Sequence, residues 1–167
     1  MNTNHWRGAL TGVVLGMILV GCGAGRTMVM EAPEERHSFA SATVENGKDS
    51  VTMPEEFRTR LTEKVKAGLY GDAEKPGSFK DEAGLTIRLQ VVQFDSGNQF
   101  QRWFFGGLGN QGEASLHVLA EFYEGDKKLA NIQTEGRIGS GAFGGSVNSA
   151  VDKAAAEIVE YAAANFR

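Results

Sequence analysis

EASLHVLAEFYEGDKKLANIQTEGRI, residues 113–138, decides how this chain folds. Ala114, Leu116, Val118, Ala120 and Phe122 occupy every second position, which in an extended chain puts all five on one face. EGDKK then supplies the residues of a tight turn, and LANIQTEGRI returns with Ala130, Ile132, Thr134 and Ile138. The stretch predicts a hairpin with one apolar face. Such a face has to be covered, so the flanking sequence must hold the cover.

Upstream, LTIRLQVVQF (85–94) alternates through Leu85, Ile87, Leu89 and Val91, then slips phase at Val92 and Phe94. That predicts a strand bulged, or covered on both faces, at its end. FASATVEN (39–46) reads as a short strand. Between the two, Thr52-Met53-Pro54-Glu55 has the spacing of a capping box with a first-turn proline. Phe57, Leu61, Val65 and Leu69 follow at intervals of four, one apolar helical stripe ending at Gly71. DAEKPGSFKDEAG (72–84) reads as loop. Downstream, Val147, Val151, Ala154, Ile158, Tyr161, Ala162 and Phe166 mark a long amphipathic helix capped by Ser146 or Ser149. The order β-α-β-β-β-α predicts one α+β domain over residues 37–167. It is a two-layer sandwich, with an about four-stranded mixed sheet and two helices on one face.

The first residues are expected to lie outside that domain. Arg7 is followed by the apolar run GVVLGMILVG, too short to span a bilayer, which needs about 20 apolar residues. This is the layout of a secretory signal peptide over residues 1–21. The run ends in Leu19-Val20-Gly21-Cys22, which resembles the bacterial lipobox. The resemblance implies recognition of Leu19, Val20 and Gly21 by signal peptidase, cleavage before Cys22, and acylation of its sulfur and new amine. Two or three acyl chains hold a protein far more firmly than one. Residues 22–36, the acylated cysteine and GAGRTMVMEAPEER, mix glycine, proline and charge and read as a flexible tether.

Cleavage leaves 146 residues with 16 basic and 21 acidic side chains. A mildly acidic chain without a basic block does not suit nucleic acid. Cys22 is the sole cysteine, so packing rather than a disulfide must hold the domain.

GSGAFGGS (139–146) contains GxGxxG at Gly139, Gly141 and Gly144, between a strand and a helix. A dinucleotide fingerprint needs a βαβ context and an acidic residue about 20 positions on. Here the last helix runs to the chain end, and position 164 is Ala164. Gly107, Gly109 and Gly112 repeat the pattern before a strand. No nucleotide is expected. The glycines instead suit a sharp strand-to-helix turn, and the helix start at Gly144, Gly145 and Ser146 offers free N–H groups to an anion.

His37 and His117 lack partners at metal-ligand spacing, and no nucleophile elbow appears. Glu55-Glu56, Asp81-Glu82 and Glu157/Glu160 look like helix-start or solvent-face charges. Neither enzyme, cofactor nor metal is expected. In NQFQRWFFGGLG, Phe100, Trp103, Phe104 and Phe105 cannot all face one core if extended, so they are candidates for partner or bilayer contact.

The lipobox, the tether, GGLGNQGEASLHVLAEFY, the hairpin, GSGAFGGS and the alanine-rich closing helix together resemble the bacterial lipoproteins grouped as domain of unknown function 4410. The element order is also similar to the amino-terminal domain of TolB. These resemblances imply a lipid-anchored envelope protein, with Gly23 after the cysteine favouring the periplasmic face of the outer membrane in a two-membrane cell. The expected role is a non-catalytic interaction or adaptor domain for export, cell-wall or surface-polymer machinery. Its partners would be the membrane, envelope proteins or further copies of itself. The alternative is a module binding a small or anionic envelope ligand at the glycine-rich loop.

Overall fold

A computed structural model describes residues 25–72, 74–95, 114–138 and 146–167. Six strands form one mixed sheet: β1 (Gly25–Glu31), β2 (Ser41–Asn46), β3 (Lys80–Asp81), β4 (Leu85–Asp95), β5 (Ala114–Glu124) and β6 (Lys127–Ile138). Helix α1 (Glu55–Tyr70) lies between β2 and β3 in the chain, and α2 (Val147–Phe166) closes it. The spatial order is β1-β6-β5-β4-β2-β3. β1, β6, β5 and β4 are antiparallel neighbours, whereas β4, β2 and β3 pair in parallel.

The hairpin forms as its alternation requires. Leu116, Val118, Ala120 and Phe122 pair with Gly136, Thr134, Ile132 and Ala130, and all eight are buried. Gly125 opens the turn at φ 57°, in the left-handed region where glycine carries no side-chain penalty. On β4 the buried Leu85, Ile87, Leu89 and Val91 extend the same face. The phase slip is a bulge: the register shifts between Val91 and Gln93, which returns Phe94 to the core side opposite Leu116.

Both helices cover this face. Leu61, Val65 and Leu69 of α1 and Val151, Ala154, Ile158, Ala162 and Phe166 of α2 join one cluster with the strand residues. Arg60 clamps the helices together, giving two hydrogen bonds of 2.9 and 2.7 Å to Asp152. Buried Arg58 reaches the Leu89 carbonyl at 2.8 Å and lies 3.3 Å from Asp49, tying the segment after β2 onto β4. A side chain at Gly136 would collide with the Ala150 carbonyl, so glycine is what lets α2 descend onto β6.

Three expectations are corrected. The sheet has six strands rather than about four, because β1 and the two-residue β3 add an edge each. The expected tether forms β1 over Gly25–Glu31, held antiparallel to β6 by its backbone. The capping box does not form: α1 starts at Glu55, Pro54 occupies the cap position, and no side chain caps the end. The Pro54 carbonyl instead accepts from the N–H groups of Phe57 and Arg58.

Candidate functional site

One end of the sheet carries the strand ends to which most of the segments singled out from the sequence attach. Gly25 opens β1 opposite Gly136, Ala114 opens β5 opposite Ile138, and Asp95 closes β4 opposite Ser115. The start of α2 lies at the same end, where Lys153 donates to the Arg137 carbonyl at 3.2 Å. The antiparallel arrangement makes this unavoidable: a chain entering β1 and β5 where it leaves β4 and β6 brings these four strand ends together, while the β5–β6 turn lies at the opposite end.

Three segments attach there and lie outside the described residues. One is the segment before β1, the expected leader with Leu19, Val20 and Gly21 followed by Cys22. The second, between β4 and β5, carries Phe100, Trp103, Phe104 and Phe105. The third, between β6 and α2, carries Gly144 and Gly145. Ser146, the candidate cap, is exposed with φ −91° and ψ 168°. Its hydroxyl makes no cap bond, and its carbonyl accepts from the Ser149 N–H at 2.8 Å. No acidic residue occupies the first turn of α2. The helix start therefore keeps its positive end uncompensated among the described residues.

The β1 edge is the feature that sequence reasoning missed. No β1 residue is buried. Met28, Val29 and Met30 are 49%, 50% and 58% exposed, and they are the exposed large hydrophobics among the described residues. Apolar exposure scattered singly is ordinary, whereas three in succession on an unpaired edge is not. Thr27 donates a 2.5 Å hydrogen bond to Glu157 of α2, and Glu31 accepts from Asn131 at 3.1 Å and Lys128 at 2.9 Å. Glu31 holds the Lys128 ammonium above its ordinary pKa through that hydrogen bond. Glu157 is thus a link between layers rather than the solvent-face charge expected. The readable signal was the run Met28-Val29-Met30, apolar beyond what a solvated tether needs.

The sheet face away from the helices is polar. His117 accepts from the Gln133 amide at Nδ1, 3.1 Å away, and presents Nε2 to Glu135 at 3.4 Å. Glu135 also accepts from Arg137. His37 lies 3.9 Å from Glu124. Both histidines are engaged locally, and the described residues include no group of three or more His, Cys, Asp or Glu placed to hold a metal ion. Glu55, Glu56, Asp81, Glu82 and Glu160 are exposed. No helix among the described residues is long and apolar enough to cross a membrane.

A search of curated proteins gives no match. Among solved structures, a PelC dodecamer from Paraburkholderia phytofirmans is similar at a TM-score of 0.50 and 11% identity, covering 86% of this chain and 99% of that one. A variant PelC dodecamer from the same species gives 0.48 and 13%, covering 87% and 98%. At these identities the likeness concerns the fold alone. The family described as a domain of unknown function, DUF4410, matches residues 30–142, from the end of β1 through β6. That span is more than half of the chain, and this protein belongs to the DUF4410 family.

Proposed function

We propose that the chain is a bacterial envelope lipoprotein, acylated at Cys22, whose α+β domain is a non-catalytic interaction module. It serves an envelope assembly such as export, cell-wall or surface-polymer machinery. In a two-membrane cell it sits on the periplasmic face of the outer membrane. The observation that carries this reading is how closely the fold follows the lipobox. β1 opens at Gly25, three residues after Cys22, so anchor and sheet are separated by at most about 11 Å. A reach of tens of ångströms, which a free tether would allow, is replaced by a domain set directly on its lipid.

The sheet end described above supports the same reading. The segment bearing Phe100, Trp103, Phe104 and Phe105 leaves β4 and enters β5 at the sheet end where β1 opens, and amphipathic aromatics suit a bilayer interface or an anchored partner. Envelope proteins and further copies of the chain are the partners proposed. Crosslinking in intact cells followed by purification tests this. A defined complex, hetero- or homomeric, is the expected result; a chain recovered only as an uncrosslinked monomer would overturn the adaptor role.

A second reading rests on the start of α2. That helix has neither a side-chain cap nor a first-turn acid, so Gly144, Gly145 and Ser146 could present N–H groups to a phosphate or carboxylate. Thermal unfolding with added anion tests it: a rise in midpoint that Gly145→Asp abolishes supports the ligand module, and no rise excludes it.

A further inference from the structure

We infer that β1 is a membrane-seating strand: Met28, Val29 and Met30 lie in the interfacial layer of the bilayer that holds the acyl chains. The inference rests on the proposed anchor and adds what the anchor alone does not give, an orientation of the sheet on the lipid.

Three observations converge. The first is chain length. Met28 is six residues from Cys22, so at full extension it stands no more than about 21 Å from the anchored sulfur. The headgroup region on each side of a bilayer is about 5–8 Å thick. A strand running straight out of the lipid would lift Met30 clear of it, whereas a strand lying along the surface on its open edge keeps Met28 and Val29, which project from opposite faces of the sheet, and Met30 within it. The second is composition. The exposed triplet is apolar, and exposed Arg26, between it and the anchor, has no ion-pair partner among the described residues. An arginine unpaired among the described residues, beside exposed apolar side chains, is the pattern of a segment lying at a lipid–water boundary.

The third observation separates lipid from a competing occupant. An open sheet edge ordinarily invites another strand, including one from a second copy. Here the register of β1 against β6 shifts between Val29 and Glu31, so Met30 sits at a bulge. A bulge interrupts the even row of backbone groups that an added strand would need, yet leaves the side chains projecting. An edge that is apolar but irregular suits a fluid surface, which needs no register. The opposite edge, β3, is two residues long and exposed, with charged Lys80 and Asp81.

The test uses the acylated full-length protein in phosphatidylethanolamine–phosphatidylglycerol vesicles. Cys22 is the only cysteine and acylation consumes its thiol, so a cysteine introduced elsewhere becomes the single labelling site. Spin labels at Met28→Cys and Met30→Cys are compared with one at Lys80→Cys. Labels at 28 and 30 are expected to gain oxygen collisions and lose collisions with an aqueous nickel chelate, while the label at 80 does the reverse. Equal aqueous access at 28, 30 and 80 would overturn the inference. So would dipolar broadening between labels on neighbouring copies, which would assign the edge to a second chain. Mass spectrometry of the same sample keeps the two readings apart. Acylated Cys22 with water-exposed labels removes only the seating strand, and an unmodified Cys22 removes the anchor with it. Circular dichroism melting confirms that each variant is folded.

Discussion

At the scale of single residues, stability rests on how closely the two layers approach. Gly136 occupies a core-face position of β6 directly beneath Ala150. A methyl group there collides with the Ala150 carbonyl, which belongs to a hydrogen-bonded helix turn and cannot give as a flexible side chain would. Overpacking of this kind costs about 1–3 kcal/mol, more where the neighbour is rigid. Gly136→Ala is therefore expected to lower the urea midpoint of unfolding at an unchanged slope. A midpoint equal to that of the native chain would show that α2 can lift at no cost.

Tyr70 gives the fold a pH dependence. Its hydroxyl donates to the Ala42 carbonyl at 3.1 Å, and burial, with Asp81 nearby, raises the phenol well above its ordinary value. Burial raises Tyr123 and Tyr161 as well. A phenol whose folded pKa exceeds its unfolded value stabilises the fold fully below about pH 10, and that stability is lost as the pH climbs above it. The melting temperature is expected to fall above that pH, and Tyr70→Phe should make the fall shallower. An identical alkaline slope in the variant would remove Tyr70 as a contributor.

At the scale of elements, what could be read from the sequence follows from how each element is held. β4, β5, β6 and the two helices bury one face each, so their periods of two and 3.6 are written in the side chains. The slip at Val92 was legible for the same reason, since a bulge moves the apolar phase. β1 was not legible. None of its side chains is fully buried, and strand pairing through the backbone leaves no period in the residue pattern. The start of α1 misled in the opposite way: the capping-box residues are present, but Pro54 takes the cap position and Thr52 is left outside. Of the candidate site, the location was legible in part. The glycine and aromatic segments were visible as motifs, but only strand register shows that the strand ends to which they attach share one end of the sheet with the start of β1.

The same reasoning ranks the elements by how readily they open. β1 is attached to α2 through the Thr27–Glu157 bond and to β6 through its backbone and Glu31. An element with no buried side chain opens locally without exposing the core. Hydrogen exchange is expected to be fastest for the β1 amides among the sheet strands longer than two residues. Glu157→Ala should speed β1 further while leaving β5 unchanged. Uniform protection across β1 and β5 would mean that the edge strand unfolds only with the whole domain.

For the whole molecule, the question is whether the lipid attachment and the fold are separable. The buried core begins at Ala42 and ends at Phe166, and nothing before Ala42 is fully buried among the described residues. The energy that holds the domain therefore comes mainly from residues 42–166, whereas the proposed anchor is Cys22. A chain exported behind a non-lipoprotein leader and starting at Gly23 keeps every described residue and loses only the acyl chains. Its urea midpoint is expected to equal that of the acylated protein measured in detergent, because the packed layers are the same. Its location should change completely. The native chain should stay with the membrane fraction through high-salt and alkaline washes, since hydrophobic insertion is insensitive to charge screening. The Gly23 chain should appear in the soluble fraction, as three half-exposed apolar residues and one arginine are a weak hold without acyl chains. Should the Gly23 chain remain on the membrane through both washes, the anchor would lie in the domain itself and the role assigned to Cys22 would be withdrawn.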